Sequence, residues 1–213
     1  MRRFGYWDFI LATAAVAVVL LWATMPHAAL QPTPDVSGRI SLTGQLLIAT
    51  SVLKDSPFER TVILMAQHTK DGALGVVVNR PIEERKIANL LDAVGADSSG
   101  VGDVSVRIFL GGPVSPTLGV VVHSAEYHLA NTVDIDGKVA LTADPDVLRD
   151  IGQGKGPNKS LIAFGYAGWG PSQLDDEIAR GAWYMVTEDP ALVFDEDRSK
   201  VWDAAMARHR TEH

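Results

Sequence analysis

The 213-residue chain has no cysteine. Disulfides, thiolate metal sites and a cysteine nucleophile are therefore excluded together. It also lacks any run of lysine and arginine, and it has no low-complexity tract. The formal net charge is −7. Setting aside the first 24 residues removes Arg2, Arg3 and Asp8, which leaves 17 basic residues against 25 acidic ones, a balance of −8. A body this acidic repels a phosphate backbone, and nucleic acid is not an expected partner. No serine sits in a Gly-x-Ser-x-Gly elbow. The stretch "GQGKGPNKS" (152–160) ends like a phosphate loop but puts Gln153 and Asn158 where glycines are needed, and Pro157 removes an amide donor. It reads as a surface loop. No cofactor is implied.

Outside the first 25 residues there is no long apolar run. At the front, two arginines precede an apolar stretch over residues 9–25 that is interrupted only by Thr13 and Thr24. It is barely long enough to span a bilayer, and no small-residue pair marks a cleavage site, so it reads as an uncleaved signal anchor over residues 1–25. With Arg2 and Arg3 inside, the expected arrangement is an inner-membrane anchor with the body outside the cytoplasm. The alternative is translation from Met25, which would leave the body in the cytoplasm. A Pro-containing linker over 26–40 then leads to a body over 41–213.

The body reads as α/β in the mixed α+β sense: one compact domain with a mixed sheet and peripheral helices, preceded by one N-terminal hydrophobic helix. Short apolar, β-branched runs predict strands at "GQLLIAT", "TVILMAQ", "ALGVVVN", "VRIFL", "TLGVVVH", "KVALT", "SLIAF" and "AWYMVT". The Asp-Gly in "HTKDG" predicts a hairpin between the second and third. Ile87, Leu90, Leu91 and Val94 form a helical stripe stopped by Gly95. Helices are also predicted after Asp144 as N-cap with Pro145 at the first position, after Ser172 as N-cap with Asp175 completing a capping box, and over 201–207.

"GYAGWGPSQLDDE" (165–177) has the outline of a glycine-rich loop entering a helix, where free amides could hold an anion. Asp175, Asp176 and Glu177 already occupy that positive end, so they read as helix stabilisers that would repel a phosphate. Tyr166, Trp169 and Gln173 could instead line a recess for a neutral or cationic partner. In "HSAEYH", His123, Glu126 and His128 match no zinc spacing, and a third ligand would have to come from afar, with His68 the one candidate. No metal site is expected; a strand-end histidine bonded to nearby backbone is the simpler reading.

Taken in order, "GQLLIAT", "HTKDGALGVVVNRP", "FLGGPV", "VVHS", "FGYAGWGPSQLDDEI" and "GAWY" resemble the YqgE/AlgH family of bacterial proteins over residues 42–207. The resemblance implies a single α/β domain and no established activity; members carry a transcriptional-regulator label that is genetic in origin and names no chemistry. It also implies a set of binding residues: Asn79, Arg80, Gly111, Gly112, Pro113, His123, Gly168, Trp169, Gln173, Glu177 and Trp183, with Tyr166 added from the loop itself. The chain departs from the family in "TSVLKDSPF" after the first strand, in Ser172 before Gln173, and in its apolar front end. Three functional readings follow. The first is a non-enzymatic regulatory or interaction domain working through a protein partner. The second is direct contact with DNA. The third is a hydrolase or small-ligand-binding protein using His123, Glu126 and residues 165–170.

Overall fold

In β1 (Gln45–Ala49) four consecutive residues are buried, because both faces of its sheet are covered. Leu46 and Ile48 enter one core cluster, while Leu47 and Ala49 enter another on the opposite face. The computed structural model describes residues 41–194 and 197–212. After β1 come β2 (Val62–Thr69) and β3 (Gly72–Val77), joined as the Asp-Gly hairpin. Next are β4 (Pro81–Lys86), α1 (Ile87–Ala93), β5 (Ser105–Leu110), β6 (Val114–Ser124), β7 (Val133–Asp134) and β8 (Val139–Thr142). Then follow α2 (Asp146–Gly152), β9 (Ser160–Trp169), α3 (Gln173–Ala179), β10 (Trp183–Thr187), α4 (Pro190–Phe194) and α5 (Val201–Glu212).

The strands form one sheet in the order β10-β1-β2-β3-β9-β6-β8-β7, with β5 also on β9 and β4 on the far side of β5. Only β5–β9 is parallel among these pairings; the rest are antiparallel. The sheet is thus mixed, as its sequence suggests. β9 joins the two halves: residues 162–164 pair with β5, and 167–169 pair with β3. The largest cluster lies under α4 and α5, which contribute Leu192, Val193, Val201 and Ala205. A second cluster holds Trp169, Leu174 and Trp183, and a third lies under α1 and α2 around Ile87, Leu91, Val147 and Leu148.

Several expectations are corrected. The glycine-rich stretch 165–169 is strand, not loop: Gly165 adopts φ +75°, which bends β9, yet the ladder continues through Gly168 opposite Leu74. Ser172 stands at the N-cap in a left-handed conformation and makes no side-chain cap; the Gly170 N–H donates to Gln173 Oε1 instead. In α2 the N-cap position falls on Pro145, one residue later than expected, while Asp144 Oδ1 still accepts from the Asp146 N–H as a capping side chain would.

The membrane expectation is also corrected. Among the described residues no helix is long and apolar enough to cross a membrane. The longest, α5, has 12 residues, or about 18 Å against about 30 Å of hydrocarbon. The apolar run at 9–25, the hydrophobic helix expected there and the expected linker over 26–40 lie outside the described residues. Inner-membrane anchoring of the body therefore has no support in the described residues.

Candidate functional site

His123 lies near the end of β6 and is fully buried, so its ring must find partners inside the fold. Its Nδ1 lies 3.0 Å from the Ser124 carbonyl oxygen, which can only accept, so Nδ1 carries the hydrogen. Burial pulls its pKa below the usual histidine value, with Ser124 and Glu126 pulling the other way. The neutral ring's Nε2 then accepts from Thr142 Oγ1 at 2.8 Å, and Thr142 Oγ1 in turn meets Thr132 Oγ1 at 2.8 Å. Both nitrogens are occupied, which leaves no lone pair for a proton or a metal. Glu126 accepts from Ser124 Oγ and the Asn158 N–H and so ties the 152–160 loop to β6. His128 is exposed, and His68 accepts from the Leu42 N–H in β2. Among the described residues no group of three or more metal-ligating side chains is assembled.

The aromatic motif closes on a carboxylate. Glu177 Oε2 accepts from Trp169 Nε1 at 2.9 Å and from Trp183 Nε1 at 2.8 Å, while Gln173 Nε2 donates to Oε1 at 3.2 Å. Gln173 and Glu177 are one helical turn apart, which is why α3 can offer both to the same place. All of Trp169, Glu177 and Trp183 are buried, and the two indoles meet edge to face at 6.0 Å. Phe58 fills the remaining side, stacked on Trp169 at 6.5 Å and edge-on to Trp183 at 5.7 Å. The arrangement is filled by its own side chains. It clamps α3 and β10 to the end of β9.

Asn79 and Arg80 follow β3 and turn towards the same segment as Phe58. Asn79 Oδ1 accepts from the Val62 N–H, its Nδ2 donates to the Arg60 carbonyl, and Arg80 donates to the Glu59 carbonyl at 2.6 Å. Gly111 and Gly112 thread between strands: the Gly111 carbonyl accepts from Val77 N–H, and its own N–H donates to Phe164 O. Pro113 is exposed beside them. Tyr166 is buried without a full hydrogen bond at its hydroxyl, and burial pushes its pKa up against a weaker pull from Ser115.

The structure thus brings Asn79, Arg80 and, through Phe58, Trp169 and Trp183 to the support of residues 51–60, with Gln173 and Glu177 behind the tryptophans. Gly111, Gly112, Pro113, Tyr166 and Gly168 lie along the strand crossings, and His123 lies apart among β6 and β8. That segment opens with a single 3₁₀ turn (Ser51–Leu53) capped by Thr50, whose hydroxyl donates to Gly181 O and accepts from Val52 N–H. Asp55 and Arg60 hold positive φ angles of 62° and 53°, uncommon for residues with side chains. Glu59 accepts from the Asp55 N–H, and Arg60 lies over the Trp202 ring at 4.1 Å. At its tip Val52 is 60% exposed, with Lys54 and Asp55 also in solvent. Sequence reasoning noted this stretch only as a departure from the family pattern. The available signal was Phe58, an aromatic residue inside a mostly polar stretch.

A second buried carboxyl lies away from this segment. Glu188, after β10, has its side chain fully buried, and among the described residues no hydrogen bond of ordinary geometry reaches either oxygen. Its polar neighbours are Asp136 and Lys138, whose Nζ is 3.5 Å away, both in the β7–β8 turn. Burial first, then Asp136, pushes its pKa from 4.5 up to about 7. Asp136 shifts the other way, because the nearby Glu188 carboxyl and the Lys138 and Val139 N–H groups that donate to its Oδ1, with the Lys138 charge, outweigh its own burial. The folded chain therefore holds a proton on Glu188 that the unfolded chain has already released, and stability falls as pH rises from about 4.5 to about 7. Glu188→Gln should flatten that slope, removing about 3 kcal/mol of pH dependence in urea unfolding measured across the window.

With this geometry in hand, the comparisons are direct. A family model described as AlgH-like matches residues 46–213. Among curated relatives, a UPF0301 protein of Rhodospirillum rubrum is 40% identical over 167 residues, covering 78% of this chain and 86% of that protein. Another, from Afipia carboxidovorans, is 39% identical over 179 residues, covering 81% and 85%. The solution structure of the AlgH protein from Pseudomonas aeruginosa superposes with a TM-score of 0.69 at 34% identity, over 84% of this chain and 91% of that one. A crystal structure from Corynebacterium diphtheriae shares the fold with a TM-score of 0.61 at 20% identity, over 88% and 92%. The apolar run at 9–25 precedes the residues matched by the family model.

Proposed function

The chain belongs to the AlgH-like family, and from that premise we propose that it is a non-enzymatic interaction domain that meets a protein partner through residues 51–60. The observation that carries this is the support given to that segment. Asn79, Arg80 and Phe58 with its two tryptophans hold its backbone from below, while Val52, Lys54 and Asp55 face solvent. Recognition is served by loops presented on rigid scaffolds, because the ordering cost is met in folding and not on binding. His123 supports the same reading from the other side, since its neutral ring is spent on Ser124 and Thr142.

Val52→Asp is the discriminating variant, since Val52 touches solvent more than core. With the protein immobilised and its bound partner quantified, Val52→Asp should weaken capture about tenfold while leaving the unfolding midpoint in place. Asn79→Ala should weaken capture only together with a loss of stability. Unchanged capture by Val52→Asp would remove this surface from the proposal. Turnover abolished by His123→Ala, or a salt-sensitive shift of duplex DNA, would replace the reading with an enzymatic or DNA-binding one.

A further inference from the structure

Every residue of β4 is exposed, on both faces of the strand. Its sequence is Pro-Ile-Glu-Glu-Arg-Lys; among the described residues it pairs only with β5, on one side, and Ile82 is 58% exposed. A strand with no buried face gains little from packing within its own chain, and its outer edge presents unpaired backbone groups. The Ile87 N–H donates to Val104 O, so the alternation of an antiparallel pair turns residues 83 and 85 towards β5 and the backbone groups of Glu84 and Lys86 outward.

We propose that β4 is a self-pairing edge: two copies of this chain join antiparallel, β4 to β4, about a two-fold axis at Glu84. The charge order carries the choice of occupant. Natural edges are blunted by charges, lysine above all, that would repel a like neighbour. Here two acids precede two bases, so a reversed copy sets the acidic half of one strand along the basic half of the other. In the register that lets the outward groups of Glu84 and Lys86 bond across the junction, Glu83 faces Arg85 of the second copy, twice by symmetry. Glu83 and Arg85 already share one face at 2.7 Å within the chain, so the two copies complete a ring of four alternating charges. On the other face Glu84 lies diagonal to Lys86 of the second copy. Arg107 of β5, 3.9 Å from Glu84, offsets the meeting of the two Glu84 side chains at the axis. A contact between six-residue strands falls below the roughly 1,200 Å² of a stable interface, so the dimer is concentration-dependent and weakened by salt. The proposal is independent of the function assigned to residues 51–60.

The test is sedimentation of the 213-residue chain over a hundredfold range of concentration. The parent should pass from monomer to dimer. Glu83→Lys with Glu84→Lys makes the strand wholly basic, and Arg85→Glu with Lys86→Glu makes it wholly acidic. Each should dimerise about tenfold more weakly alone. An equimolar mixture of the two should recover dimer, which a folding defect could not produce. Glu84→Pro removes an outward N–H that β5 does not use, and it should weaken the dimer while leaving the unfolding midpoint unchanged. A parent that stays monomeric at the highest concentration overturns the proposal. So do charge-uniform variants that self-associate as well as the parent.

Discussion

Gly112→Ala should leave little folded protein. A Cβ at this position would overlap the Tyr166 carbonyl carbon and oxygen and the Ala167 nitrogen, all of them backbone atoms. No side chain can rotate away to make room, and the φ of +155° is one that residues with a Cβ avoid. Relief would require the 111–113 crossing to lift off β9. That in turn would break the Val77–Gly111 and Gly111–Phe164 hydrogen bonds that hold it between strands. The expected cost exceeds about 4 kcal/mol, in the range reserved for mutations that disrupt a closely packed backbone. Gly95→Ala is the matched control. Its φ is +71° but nothing lies within 4 Å of the added carbon, so about 1 kcal/mol is expected from the conformation alone. Urea unfolding of both variants would check the pair; equal losses would mean that crowding at Gly112 is relieved by movement.

Glu177→Ala should produce the second large loss, about 3–5 kcal/mol in urea unfolding. The substitution strands two indole N–H donors in a buried pocket and removes the acceptor that Gln173 uses. Donors bonded to a charged acceptor are among the stronger hydrogen bonds, and leaving them unmade costs their desolvation in full. Glu177→Gln should cost only about 1–2 kcal/mol, since one amide oxygen can still accept from both tryptophans. Asp176→Ala, at an exposed position of the same helix, should change stability by less than about 0.5 kcal/mol. If Asp176 mattered as much as Glu177, the contribution would come from the helix terminus and not from the tryptophans.

That contrast shows where sequence reading reached and where it stopped. The apolar runs identify their strands because burial on both faces leaves an unbroken signature, as in Leu46–Leu47–Ile48. β4 leaves none: its order of charges has no alternation, and only its pairing with β5 makes it a strand. In sequence β9 reads as ending at Phe164 with a loop beyond, because glycine at 165 and 168 signals a turn, whereas here it allows a bend and a close approach without ending the ladder. The three acids at the start of α3 were indistinguishable in sequence and read alike as helix stabilisers. Glu177 is the buried one of the three, and its partners at 169 and 183 lie on two different strands, while Asp175 meets buried His68 at 3.5 Å and Asp176 is exposed. Gln173 and Glu177 were legible singly and not as a pair, and the segment they help support, 51–60, was not legible because its order comes from residues distant in the chain. The His123 network was equally hidden, since Thr132 and Thr142 carry no signal until β7 and β8 fold back beside β6.

β9 has one more implication. Because residues 162–164 complete one half of the sheet and 167–169 complete the other, neither half possesses a finished edge without this strand. A fragment ending before residue 160 would lack the strand that closes the β3 edge and separates β5 from β6, and one beginning there would carry that strand with almost nothing to lay it against. The chain therefore offers no point near its middle at which it could be split, permuted or shuffled with a relative as two autonomous modules. Such exchanges would have to respect the whole span from β1 to β10, which makes the domain a single unit of inheritance as well as of folding.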